Sequence, residues 1–131
     1  MTKEDENLLL IDLSARLRYG VKLETECGIE VLDTLIVSNG WVNDSYDIDD
    51  VKPFLRSMSS MTEEESRQYR DFVEYSYNDF TSESIPCVYL NRINEFINWL
   101  NSHYFDYRGL IEKGLAIEAP EGMYKIVPIS I

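Results

Sequence analysis

The chain is poor in histidine, cysteine and positive charge. A single histidine, His103, in 131 residues excludes a metal centre built from several imidazoles. The two cysteines, Cys27 and Cys87, are far apart and form no CxxC pattern, so they read as free thiols in a reducing compartment and not as a zinc or redox motif. Cys87 falls in an apolar run, where a free cysteine serves as a small core residue. Lys and Arg number 12 against 24 Asp and Glu, a net charge of −12. Such a chain repels phosphate backbones at long range, so direct nucleic-acid binding is not expected. No apolar run approaches the ~20 residues of a membrane span. "LLLI" (Leu8 to Ile11) is short and flanked by acids where a secretory signal requires bases. A cytoplasmic protein without membrane association is the expectation. There is no Gly-rich phosphate loop, no GxSxG elbow and no HExxH, and no cofactor or metal is expected.

What is present suits a folded chain. Hydrophobic residues make up 44% of the sequence, and a chain of this length buries roughly two thirds of its unfolded surface. Leu9, Leu10, Leu13 and Leu17 recur at helical spacing, with Asp12 and Arg16 placed on the opposite, solvent side. Glu4, Asp5 and Glu6 suit that helix's N-terminus and Gly20 its end. The period then changes. Turn signals at Cys27-Gly28 and Asn39-Gly40 divide three antiparallel strands, about 21–25, 29–37 and 41–48. "DIDDVKPFLRSMSS" reads as a connector in which Pro53 forbids regular helix.

Thr62 and Glu65 form a capping box. The helix after it carries Tyr69, Phe72, Val73, Ser76 and Phe80 on one face, until "NDFTSES" breaks it. Residues 85–90 are ambiguous between strand and helix start. Ile93, Phe96, Ile97 and Leu100 give a helical stripe with Asn91 as cap. Asp106 is placed to cap a short helix, Tyr107 to Lys113, ended by Gly114. "LAIE" (Leu115 to Glu118) alternates as a strand, and "MYKIVPISI" reads as a last extended segment limited to an edge by Pro128. The expected architecture is one α+β domain over 1–131. It combines a small antiparallel sheet, from hairpins near 21–48 and C-terminal strands, with three to four helices.

The chemistry-bearing residues concentrate in "WLNSHYFDYRGLIEKGL", Trp99 to Leu115. His103 lies at a helix C-terminus, where it can meet terminal carbonyls. Ser102, adjacent on the helix, does not face it as a triad partner would. The segment reads as a corner between helices, with Arg108 paired to Asp106 or Glu112, and no residue stands out as catalytic. Trp99, His103, Tyr104, Tyr107 and Arg108 are the candidate interaction surface. "NDSYDIDD" (Asn43 to Asp50) concentrates carboxylates but does not fit a calcium loop. Starting at Asp44 places Asp49 and Leu55 at the required Gly and Glu positions, and starting at Asp47 places Lys52 and Met58 there. It reads as a solvated acidic loop.

The blocks "SARLRYGVK", "VKPFLRSMSSMTEEE" and "INWLNSHYFDYRGLIEKGLAIEAPEGMY" resemble a family of short proteins of unassigned function from anaerobic gut bacteria, their mobile elements and their phages. Relatives often carry proline at the positions of Arg18 and Ser57. The resemblance implies a bacterial or phage origin and transfers no activity, cofactor or site. From the residues themselves, the expected function is that of a non-catalytic acidic accessory protein. It would dock on a protein partner, possibly a basic one, including a partner's nucleic-acid-binding site. The alternatives are a small-substrate enzyme using a carboxylate with the Tyr104/Tyr107/Arg108 region, and a phage structural component.

Overall fold

The computed structural model describes residues 1–81 and 86–125, with side chains described outside 75–89. The fold is α+β: three helices and two small sheets that are mostly antiparallel. Helix α1 (Lys3–Arg16) is capped by Thr2, whose hydroxyl accepts from the amide of Asp5, and has acids in its first turn. It buries Leu9, Leu10 and Leu13. A single 3-10 turn, Leu17–Tyr19, follows, and Gly20 ends it at φ +64°.

Strands β1 (Lys22–Thr25) and β2 (Gly28–Val31) form a hairpin turning on Glu26 and Cys27, one residue earlier than the Cys27-Gly28 signal. The expected strand 29–37 is split. Its second half, β3 (Leu35–Ile36), joins β4 (Trp41–Val42) and β5 (Tyr46–Asp47) in a separate three-stranded sheet. Asn43 enforces the split. Its side-chain oxygen accepts from the amides of Asp33 and Thr34, and its side-chain nitrogen donates to the carbonyl of Val31. Asn43 and Asp44 both have positive φ, which also breaks the expected strand 41–48 in two. The Asn39-Gly40 turn spans four residues and not two. A side chain at Gly40 would lie 3.0 Å from Ile48 Cγ2 at φ +66°, so glycine is required there.

The connector reading of residues 47–60 is corrected. β6 (Lys52–Leu55) is an inner strand of the four-stranded sheet, whose order is β2-β1-β6-β7, with β7 at Ile117–Glu118. β1 pairs with Lys52 and Pro53, whereas β7 pairs, in parallel, with Phe54 and Leu55. Pro53 therefore stands where β6 has a single neighbour, an edge-like position that tolerates a missing N–H.

Helix α2 (Glu63–Thr81) runs past the expected break, through Asn78 and Asp79, because local helix preference is a weak determinant beside packing. Val73, assigned to its buried face, is 43% exposed. Helix α3 (Pro86–Ser102) starts before Asn91, which is not its cap, and proline suits its first position. This makes 86–90 helical; Met123 to Lys125, where the expected extended segment begins, form no strand, and Ile85, Pro128 and the rest of that segment lie outside the described residues. α2 and α3 pack antiparallel. Gln68 meets Trp99, and one turn on Phe72 stacks on Phe96.

No helix forms over 107–113. Asp106 accepts from the amides of Leu110 and Ile111, both at 2.9 Å, but Gly109 at φ +73° interrupts the helical path and leaves turns.

Asp12 and Arg16 require the largest correction, because both are fully buried. Asp12 accepts from Arg16 Nε at 2.9 Å and from Arg108 Nη1 at 2.7 Å, so Arg108 pairs across the fold and not with Asp106 or Glu112. Arg16 also donates to the carbonyl of Phe105 at 2.6 Å, while its Nη1 is buried without a partner. Helical periodicity sends charges to water, but here a carboxylate and two guanidiniums satisfy one another inside. Asp12→Ala leaves a buried guanidinium without its anion and is expected to cost about 4 kcal/mol in urea unfolding. Arg108→Met, at a partly exposed site, is expected to cost less than half of that.

Candidate functional site

A cleft of about 780 Å³ opens where three parts of the fold meet. Arg56 follows β6, the first turns of α2 supply Thr62, Glu65 and Gln68, and His103 follows α3. The end of β7, with Glu118, and the turn after it, with Pro120 and Glu121, complete the lining.

The capping box sets one wall. The amide of Glu65 donates to Thr62 Oγ1 at 3.2 Å, and the amide of Thr62 donates to Glu65 Oε1 at 3.0 Å. The same carboxylate receives both ends of the Arg56 guanidinium, at 2.7 and 2.8 Å. Arg56 is held in turn by the carbonyl of His103 and by the Phe105 ring, 4.3 Å from the guanidinium carbon. Its backbone receives the amide of Asp106 and donates to the carbonyl of Tyr104. Burial pushes the Glu65 carboxyl up, but the hydrogen bonds from Arg56 and Thr62 outweigh it and hold the group below the ordinary carboxylate range.

His103 is 7% exposed. Its Nδ1 lies 2.9 Å from the carbonyl of Trp99, which can only accept, so Nδ1 carries the proton. Burial lowers its pKa and Arg56 adds to that, against the Trp99 carbonyl and Glu65. The ring is neutral at pH 7, and among the described residues no hydrogen bond engages Nε2, on a residue that lines the cleft.

Of the five candidate surface residues, only His103 lines this cleft. Trp99 is buried beside it, donating to Gln68 and packed on Phe72 and Phe105. Tyr104, at φ +62°, donates to the carbonyl of Tyr19 and stacks on Tyr124. Tyr107 donates to Asn101 and lies between the guanidiniums of Arg16 and Arg108. Arg108 belongs to the Asp12 network. The chain does turn after α3, but into a bridge to β6 and a series of turns and not into the second helix that the corner reading expected. The sequence reading missed Arg56, Glu118 and Glu121. The only signal for the last two was a pair of acids flanking an Ala-Pro turn, which carries no chemistry by itself. Among the described residues, no three His, Cys, Asp or Glu side chains come together as a metal site, and no helix is long and apolar enough to cross a membrane.

Two pH effects follow. His103 is depressed below its unfolded value near 6.5, so its contribution to stability is complete above about pH 6.5 and declines as pH falls toward its folded pKa. Glu65 is also depressed, and its contribution is lost lower, as pH falls below about 4.3 and through its folded pKa. Thermal melts between pH 7 and pH 3 are expected to show both losses. His103→Phe should remove the upper one, and Glu65→Gln the lower. At pH 7, Arg56→Met should cost about 3 kcal/mol, because Glu65 keeps its burial and loses its cation.

No family model, no curated protein and no solved structure matches the chain. Function is therefore read from the geometry of this cleft.

Proposed function

We propose that the protein is a non-catalytic interaction protein that docks, through this cleft, onto a basic segment of a protein partner. One observation carries the reading. Among the described residues the only Lys or Arg lining the cleft, Arg56, is already neutralised by Glu65, so the carboxylates of Glu64, Glu118 and Glu121 set the sign of the site. Glu64 has only an exposed contact at 3.4 Å with Arg67. The net charge of −12 extends the same field over the whole molecule and favours encounter with cationic surfaces. Basic patches that bind nucleic-acid phosphates are surfaces of that kind. The resemblance to short proteins of gut bacteria, mobile elements and phages supplies the setting we propose.

The groups that a small-substrate enzyme would use support this reading by their engagement elsewhere. Tyr104, Tyr107 and Arg108 commit their polar atoms to Tyr19, Asn101 and Asp12.

The test is the affinity for a hexa-arginine peptide by fluorescence anisotropy. Binding is expected to weaken at least tenfold between about 50 mM and about 300 mM salt. Glu118→Lys with Glu121→Lys should weaken it further than the charge-matched pair Asp49→Lys with Asp50→Lys, whose residues lie exposed in the acidic loop. Equal effects of the two double variants would mean that the cleft is not the docking site.

A further inference from the structure

The cleft holds one feature that its carboxylates do not explain. Among its lining groups is a histidine more than nine-tenths buried, with one nitrogen committed and the other open. The three bonds gathered at the Trp99 carbonyl, from His103 N, His103 Nδ1 and Ser102 Oγ, fix both the ring's orientation and its tautomer. The imidazole packs in one aromatic cluster with Trp99, 4.6 Å away between centroids, and Phe105, whose ring lies within 1° of parallel to it. Nε2 is thus a fixed, unprotonated acceptor. Nε2 is not sealed away from solvent, and a charged donor that reaches it adds a charge-assisted hydrogen bond to its charge interactions.

The groups around the ring decide which donor fits. From α2 the ring feels the Glu65 carboxylate and from the end of β6 the Arg56 guanidinium, and these two are already paired with each other. Glu64, Glu118 and Glu121 share the cleft, and Tyr124, whose hydroxyl donates to the carbonyl of Phe54, stays neutral because burial raises its pKa. An anionic or purely accepting ligand would face like charges and a lone pair. A cationic N–H donor meets complementary groups at every point.

We propose that the cleft seats a protonated side-chain nitrogen, from an arginine or a lysine of the partner, as hydrogen-bond donor to His103 Nε2. This rests on the reading of the cleft as an acidic docking site. The bound cation holds His103 neutral, and protonation of His103 expels it, so binding and the histidine's titration are linked in both directions.

The experiment uses the full chain with hexa-arginine and hexa-lysine peptides, and hexa-citrulline as the uncharged counterpart. His103→Phe keeps an aromatic ring in the cluster with Trp99 and Phe105 but removes the lone pair. It is expected to weaken both cationic peptides about tenfold at pH 7.5, the worth of one charge-assisted hydrogen bond, and citrulline should bind weakly to either protein. Nitrogen-15 NMR of His103 in the unaltered protein provides a reading that does not depend on the variant folding. Adding hexa-arginine should move the Nε2 resonance and lower the titration midpoint by about one pH unit, the counterpart of a tenfold coupling. Salt-dependent binding that needs Glu118 and Glu121, with an unmoved midpoint and no loss in His103→Phe, would overturn this inference and leave the docking reading standing. Absence of salt-dependent peptide binding by the unaltered protein would overturn both.

Discussion

The carboxylate of Asp12 ties the first helix to the far end of the chain. It sits at zero exposure between two guanidiniums, one four residues ahead on its own helix and one 96 residues away. Isolated charges in such a place would each cost several kcal/mol, and mutual attraction repays this only with good geometry. Here the distances of 2.7 and 2.9 Å and the further bond from Arg16 to the Phe105 carbonyl meet that condition for all but one donor, Arg16 Nη1. Tyr107, between the two guanidiniums, supplies a π face to both. An apolar substitute of the same volume would bury as much surface, but it would not specify which backbone carbonyl of the distant segment is gripped.

That specification reaches the cleft through the backbone. Phe105, gripped by Arg16, follows Tyr104, whose carbonyl accepts from the Arg56 amide, and precedes Asp106, whose amide donates to the Arg56 carbonyl. The segment after α3 is thereby laid parallel to the end of β6. Arg56 is then aimed at Glu65, and His103 is set beside both. On the far side, β7 pairs in parallel with Phe54 and Leu55 and delivers Glu118 to the cleft's outer wall. Tyr124 secures the residues beyond it, taking the amide of Lys22 and donating to the carbonyl of Phe54. The acidic rim and the neutral histidine are positioned by strands and buried polar bonds, and not by loop conformation alone.

What the sequence made legible was local. The Thr62–Glu65 box spans three residues, and its two hydrogen bonds were readable from residue types alone. The acids of α1, the β1–β2 hairpin and the aliphatic face of α1 followed from spacing in the same way, whereas the Thr2 cap did not figure in the sequence pattern. The reading failed where long-range partners decide. Asp12 and Arg16 carry the pattern of an exposed face and become interior only because Phe105 and Arg108 arrive from the other end of the chain. Pro53 signals a break, yet the strand persists because its second neighbour pairs only beyond the proline. Asn43 falls inside the strand expected over 41–48, yet its positive φ makes it a turn residue, and its side chain separates two sheets that a continuous apolar run seemed to join. Arg56 carried no sequence signal at all, since its partner Glu65 was already accounted for as a cap.

The grip of Arg16 on Phe105, and of Tyr124 on Lys22, has a consequence during synthesis. Helix α1 leaves the ribosome long before the residues that neutralise its buried charges, and no shorter intermediate offers Asp12 its second guanidinium. The N-terminal half must wait as a loosely held hairpin and helix, its leucine face covered only in part, until residues 105 to 124 have emerged. Assembly is therefore tied to late translation. A nascent chain stalled before Phe105 should be sensitive to proteases over its whole length, and closure of such distant pairs makes for slow folding compared with a bundle of neighbouring helices.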